Sequence, residues 1–414
     1  MAALMAMMGG VEIRAAEKPK ADAKAAVEDE KPGPPVKCAV VGVGAWGRDI
    51  VKSLARLPNA PIVALCDTYP NFLKRGAQDA PKAEAVGDYQ KVLENKEVQA
   101  VVVATPTHQH KEIVLAALQA GKHVYCEAPL AQTIEDAKAI ALAAQAARKQ
   151  TFQCGLLLRS SPIHTHVVEF IRTGAIGKPV LVRSQYHKKT GWRTSAPTPE
   201  RELAMNWRLN KETSPGLMGE IGIHPLDVAV WFHKALPTAV TGFGKIIIDT
   251  DDGRDVANTV QAVFEFPNGL EMIYDATLAN SFEGSYEVHS GTYGAIVIRD
   301  SRAWLIKETD APLLGWEVYA RKEDFQPSKD AGISLVANAS KLLAQGIDPA
   351  DAPANSDSPL YYTMKDFIAN INNAKAPANG AEAGFAATVL ALKANEACAG
   401  NQKIALKKEW FSLA

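Results

Sequence analysis

Between Val36 and Gly155 short apolar runs alternate with stretches of helical periodicity. The runs predict strands at Cys38–Val41, Ile62–Leu65, Ala100–Ala104, His123–Cys126 and Thr151–Leu156. The stretches between them predict helices at Arg48–Leu57, Asn71–Gln78, Asp88–Glu94, Lys111–Gln119 and Ile134–Lys149. Such alternation argues for a parallel, doubly wound sheet. After Pro162 a helix at Thr165–Thr173 ends at Gly174, and the texture changes. Strand-like runs follow at Val180–Tyr186, Val240–Ile248, Val256–Phe266, Leu270–Thr277, Tyr286–Ser290, Ala295–Ile298 and Ala303–Lys307, several alternating with period two. Pro267-Asn268-Gly269 reads as a hairpin turn. Strands without helices between them predict a mostly antiparallel sheet in an α+β region, and helical periodicity returns at Pro359–Asn372 and Ala383–Cys398.

The first strand breaks directly into Gly42-Val43-Gly44-Ala45-Trp46-Gly47, a G-x-G-x-x-G loop that opens a helix. Gly42 supplies the tight turn, Gly44 lets a pyrophosphate approach the backbone, and Gly47 lets helix and strand pack closely. The helix N-terminus then faces phosphate charge. The second strand ends in Asp67, 20 residues beyond Gly47, the offset of a carboxylate that accepts hydrogen bonds from a ribose. A glycine loop alone is weak, but strand, helix and acid together read as a dinucleotide site. Asp67 would repel a 2′-phosphate and Thr68-Tyr69-Pro70-Asn71 offers no arginine to bind one, so NAD is favoured over NADP.

Composition adds limits. The 414 residues suffice for two domains, and a formal net charge of −1 gives no basic field pointing to nucleic acid. Five cysteines are scattered without metal-site spacing and read as buried structural thiols. No run of about 18 apolar residues exists to span a membrane. Met1–Gly10 is apolar and small, like the rear of a truncated export signal, and Glu17–Pro35 reads as a disordered tether. These readings divide the chain into a signal remnant and linker at 1–35, an NAD-binding domain at 36–157 and a substrate and oligomerisation domain at 158–414. They place the protein in the periplasm or outside the cell, with the cytoplasm as the alternative.

Three further segments carry a resemblance: Val101-Val102-Val103-Ala104-Thr105-Pro106-Thr107-His108-Gln109-His110, Ala120–Ala131 with its Glu127-Ala128-Pro129, and Gly216–Asp227 with Glu220 and His224. Together with the glycine loop, and in this order, they resemble the Gfo/Idh/MocA oxidoreductases from about Lys37 to the C-terminus. The resemblance implies a Rossmann domain, then an α+β domain with an open sheet that covers the nicotinamide and supports a homodimer or homotetramer. It assigns Gly42, Gly44, Gly47 and Asp67 to the dinucleotide, with Ala45 and Trp46 inside the loop. Thr105, Pro106 and His110 would line the cofactor, and Glu127 would lie near the nicotinamide ribose. His224 matches the family's catalytic histidine, Glu220 stands at the usual aspartate position before it, and Asp227 closes the motif. Where the family commonly reads Glu-Lys-Pro, this chain has Ala128, so a lysine that helps bind the reacting hydroxyl is missing.

The chemistry follows from these residues. Taking a hydroxyl proton during hydride removal calls for a base near neutrality, which histidine supplies. On a helix, Glu220 and His224 at i, i+4 would share a face and let the carboxylate orient the imidazole. A metal site is not expected, because no further His or Cys completes a shell around Glu220, His224 and Asp227. Tyr186–Lys211 is the most substrate-like loop, with Lys188, Trp192, Arg193, Trp207 and Arg208 offering aromatic faces and forked donors; Arg159 and Asp227 join this set. Lys188, Lys189 or Arg193 are the candidates to replace the missing lysine. The leading expectation is an NAD-dependent oxidoreductase moving a hydride to or from a sugar or polyol hydroxyl. The alternatives are a redox-neutral NAD-dependent glycosidase or lyase using transient oxidation, and an inactive nucleotide-bound sugar-binding protein.

Overall fold

The computed structural model describes residues 32–319, 322–324, 331–337 and 357–414. The expected signal remnant and most of the tether lie outside them. Six parallel strands form the first sheet: β1 (Cys38–Val41), β2 (Ile62–Cys66), β3 (Glu84–Val86), β4 (Ala100–Val103), β5 (His123–Cys126) and β6 (Phe152–Cys154). Their order is β3-β2-β1-β4-β5-β6. Every residue of β1 and β4 is buried, as unbroken Val-rich runs dictate when helices cover both faces. The connecting helices are α1 (Ala45–Ala55), α2 (Pro70–Asp79), α3 (Tyr89–Glu94), α4 (His110–Gln119) and α5 (Ile134–Ala146). Strand order reverses between β1 and β4, so the carboxyl ends of these strands form the crevice where an α/β sheet binds its ligand.

Helix α6 (Pro162–Arg172) leads into a ten-stranded mixed sheet. It begins with β7 (Pro179–His187), and helices α7 (Pro199–Met205) and α8 (Ile223–His233) intervene. The next strands are β8 (Ala239–Lys245), β9 (Thr259–Glu265), β10 (Glu271–Thr277), β11 (Ser285–Gly291), β12 (Gly294–Arg299) and β13 (Arg302–Lys307). The edge pieces are β14 (Lys322–Asp324), β15 (Ala331–Ser334) and β16 (Lys403–Ala405). Pairing is antiparallel except between β7 and β10, which run parallel with Val182 beside Met272. Alternate residues of β9 and β10 are buried, so the sheet has one packed and one open face. The open face presents Phe243 and Val263, both exposed.

Two C-terminal helices return to the first sheet. Helix α9 (Pro359–Asn372) lays Leu360, Met364, Phe367 and Ile368 into the core beneath Val40 and Val102. Helix α10 (Ala381–Gly400) packs on α5, α8 and β8, and so touches both layers. A Cβ on Gly384 would meet Cys154 Sγ at 2.9 Å, so glycine permits this approach to β6. Thr388 Oγ1 accepts from the Leu130 amide at 3.0 Å and donates to Gly384 O at 2.7 Å, which fixes the helix axially. All five cysteines are free and buried. No helix among the described residues is long and apolar enough to cross a membrane.

Candidate active site

The glycine loop closes at the carboxyl end of β1. Gly42 adopts φ +90°, and a Cβ there would stand 2.6 Å from the Ala104 carbonyl. A Cβ on Gly47 would reach 1.9 Å from Gly42 O, so only glycine lets α1 start here. Gly44 caps α1 without a side-chain hydrogen bond, which leaves the helix N-terminus open to an anion. Asp67 closes the other side. Its Oδ2 accepts from Val43 N at 2.9 Å and its Oδ1 from Tyr69 N at 2.8 Å. Burial raises its carboxyl, opposed by those amides and by the charge of Arg201.

At the ends of β4 and β5 the polar groups fall into two sets. His110 is spent structurally: its ring nitrogens lie 3.0 Å from Pro129 O and 2.9 Å from Thr105 O, and burial lowers its pKa to about 4. Thr105 Oγ1 and Glu127 Oε1, by contrast, are buried without a hydrogen-bond partner. Buried polar atoms are rarely left so, and two of them at strand ends neighbouring an open helix N-terminus and the Asp67 carboxylate suit a dinucleotide rich in hydroxyls. Burial pushes the Glu127 carboxyl up to about 7, against the Trp46 indole, the Ala128 amide and the Tyr125 hydroxyl that face it. Gly155 makes room, since a Cβ there would meet Glu127 Oε2 at 2.5 Å.

The chain here matches "Oxidoreductase family, NAD-binding Rossmann fold" over residues 36–155 and "GFO/IDH/MocA C-terminal domain" over residues 164–297, together more than half of its length. It belongs to the Gfo/Idh/MocA oxidoreductase family. Among relatives of this family, inositol 2-dehydrogenase of Salmonella typhimurium is 27% identical over 63% of this chain and 71% of its own. The 2,7-anhydro-N-acetylneuraminate hydratase of Escherichia coli K12 is 27% identical over 64% and 67%. A solved levoglucosan dehydrogenase in complex with NADH and levoglucosan shares the fold at a TM-score of 0.73, with 21% identity over 90% of this chain and 100% of that one.

His224 sits where a π turn, Met218–Gly222, passes into α8. The wider turn breaks the i, i+4 alignment expected from a regular helix. Glu220 therefore turns to other partners: its Oε1 accepts from Thr107 Oγ1 at 2.9 Å and its Oε2 from Arg208 Nε at 3.0 Å. It ties the β4 loop to the second domain instead of orienting His224. The imidazole of His224 lines a cavity of 510 Å³ together with Trp46, Leu157, Leu158, Pro359 and Leu360. Its Nδ1 is buried without a partner, and burial lowers its pKa to about 4, opposed by the charge of Glu287 on β11. That carboxylate lies 3.7 Å from His164 Nε2 and 3.5 Å from His289 Nε2. Burial favours its neutral form, but the two histidines hold its pKa down at about 2.

The expected substrate residues divide. Arg159 and Asp227 engage each other at 2.7 and 2.8 Å through both carboxylate oxygens, and Arg159 also donates to Ala378 O. Trp192 packs against the main core, and Trp207 is buried with Arg208 stacked 4.4 Å over its ring. Arg193 pairs with Glu202 and donates to Asp252 O, while Lys188 is exposed. None of Arg159, Lys188, Trp192, Arg193, Trp207, Arg208 and Asp227 lines the cavity beside His224. The cavity is lined instead by Asp49, Lys52, Ser53 and Arg56 of α1, by Ser358, and by Leu157, Leu158, Pro359 and Leu360, none of which carries a motif. Glu287 and Arg201 carry no motif either, because only the tertiary fold brings their charges near His224 and Asp67. Among the described residues no group of three or more His, Cys, Asp or Glu is arranged to hold a metal ion.

Proposed function

We propose that this chain is an NAD-dependent oxidoreductase that transfers a hydride between the nicotinamide and a carbon bearing a sugar or polyol hydroxyl. The carrying observation is that His224 and Trp46 of the dinucleotide loop line one cavity, so a base and the cofactor loop face the same ligand. The bound dinucleotide supplies the hydride acceptor or donor; the remaining work belongs to the chain. His224, held neutral by burial, accepts the hydroxyl proton on its ring, and the charge of Glu287 steadies the resulting imidazolium. Glu127 and Thr105 offer unpaired oxygens to ribose and carboxamide groups. Leu157, Leu158, Pro359 and Leu360 supply the apolar part of the wall, and Asp49, Lys52 and Arg56 its charged part. NADH formation by purified protein across a panel of free sugars and cyclitols tests this reading, and no turnover with any of them defeats it.

A second reading, redox-neutral removal of an aglycone or water, draws on two observations. Ala128 puts a methyl group where the family commonly has a lysine, and the cavity wall carries the apolar Leu157, Leu158, Pro359 and Leu360. Kinship to a hydratase is in keeping with it. Ala128→Lys separates the two: strongly increased NADH formation on free sugars supports the dehydrogenase, whereas aglycone release without net NADH supports elimination. The exposed Phe243 and Val263 on the open sheet face support a homodimer or homotetramer, which sedimentation would measure. The apolar Met1–Gly10 supports an exported protein.

A further inference from the structure

We propose that Arg201, delivered by the second domain, is a specificity-determining residue of the adenosine-ribose pocket and opens it to a 2′-phosphate that Asp67 alone would reject. This inference rests on the dinucleotide reading of the glycine loop. The juxtaposition is direct. Arg201 lies on α7, 134 positions after Asp67, yet its Nη2 donates to Thr68 O at 2.8 Å. Its guanidinium carbon stands 4.7 Å over the Tyr69 ring. Tyr69 is in turn edge-on to Phe72, with ring centroids 4.9 Å apart, and Phe72 flanks Gly44 of the phosphate loop. The cation thus stands over the turn that follows Asp67, near enough for its charge to act on that carboxylate.

Three features suit it to an anion. It has no carboxylate within 4.0 Å among the described residues, so its charge is not already neutralised by a salt bridge. Its bond to Thr68 O uses one of five N–H donors and leaves a planar fork of the kind that grips phosphate. Its position is held by neighbours: Glu202, the next residue, pairs with Arg193, and Asn206 donates to Thr194 O at 2.9 Å while accepting from Thr194 N at 2.7 Å. Residues 193–206 are therefore a structured strap, and its one cation near Asp67 is Arg201. A ribose diol uses Asp67 and needs no cation. A 2′-phosphate is repelled by Asp67 and gains a compensating cation in Arg201.

Calorimetric Kd values for NAD⁺ and NADP⁺ with wild type, Arg201→Ala and Arg201→Lys test this. Wild type should bind both nucleotides, NAD⁺ the tighter. Arg201→Ala should weaken NADP⁺ about tenfold or more, the scale of a lost charge-assisted hydrogen bond, and leave NAD⁺ within about threefold. Arg201→Lys should restore part of the NADP⁺ affinity as a point charge without the fork. Equal weakening of both nucleotides, or an unchanged ratio, overturns the proposal while leaving the dinucleotide site standing. Wild type that binds neither nucleotide overturns the dinucleotide reading itself and this inference with it.

Discussion

The two halves of the candidate site are built in opposite ways. The cofactor half is assembled from strand ends: Gly42–Gly47 after β1, Asp67 after β2, Thr105 after β4 and Glu127 after β5. In a parallel sheet every such end faces the same crevice, so residues that are local in sequence become neighbours without further instruction. The substrate half has no such rule. His224 arrives on a π turn and α8, Leu157 from the loop before α6, Pro359 from the start of α9, and Glu287 from the packed face of β11. A topology that converges strand ends makes chemistry legible in short motifs, whereas a cavity framed by distant elements is visible only when folded.

Four measurements test that contrast. The largest effect is expected at His224. His224→Ala should lower turnover by about 10²–10⁴ and leave NAD⁺ affinity nearly unchanged, because the substrate half is separable from the cofactor half. Loss of cofactor binding in parallel would show that the halves are one unit. Glu220 is the seam between them, and Glu220→Ala strands Thr107 and Arg208. A stability loss of about 1–3 kcal/mol in urea melts is expected, with Glu220→Gln milder; an unchanged midpoint would remove Glu220 from the seam.

Asp67→Ala acts within the cofactor half and should narrow the NAD⁺ over NADP⁺ preference about tenfold, as read by calorimetry. A wider preference would contradict its ribose role. Acid provides the gentlest probe. His110 and His224 are held at about 4 and His233 at about 3 by burial, below an unfolded value of about 6.5. The unfolded chain binds more protons in that window, so their contribution is whole above about pH 6.5 and drains away as pH falls towards 4. Glu127, raised to about 7, has the opposite slope between about 4.5 and 7. Glu127→Gln should therefore steepen the fall of the urea midpoint with acid, and an unaltered slope would mean that Glu127 titrates normally.

Much of the fold can be read from the chain. Buried strands such as β1 and β4 are dense Val runs, and β9 and β10 alternate cleanly, so periodicity finds them. β3 escapes because Glu84-Ala85-Val86 is three residues with no pattern, and its pairing to β2 is what makes it a strand. The parallel β7–β10 pair is equally hidden, since alternation reveals a strand but not its direction. In the site, the glycine loop and Asp67 declare themselves through spacing. Glu220 misleads, because the i, i+4 argument holds for an α-helix and one π turn cancels it. Arg159, Trp192 and Trp207 have ligand-like chemistry, but ion pairing and core packing claim it, and composition cannot tell these uses apart.

The return of α9 to the first sheet governs how the protein can be made. Val40, Val102 and Tyr125 share a core with Leu360, Met364, Phe367 and Ile368, which leave the ribosome more than 200 residues later. Through all of that synthesis, one face of the nascent first sheet lacks its final cover. Domains generally fold as units during translation, and exposed apolar surface at this stage invites aggregation. Here the earliest sheet to be translated is among the last to be sealed, so nascent chains that stall before Pro359 are the form a cell's chaperones must recognise.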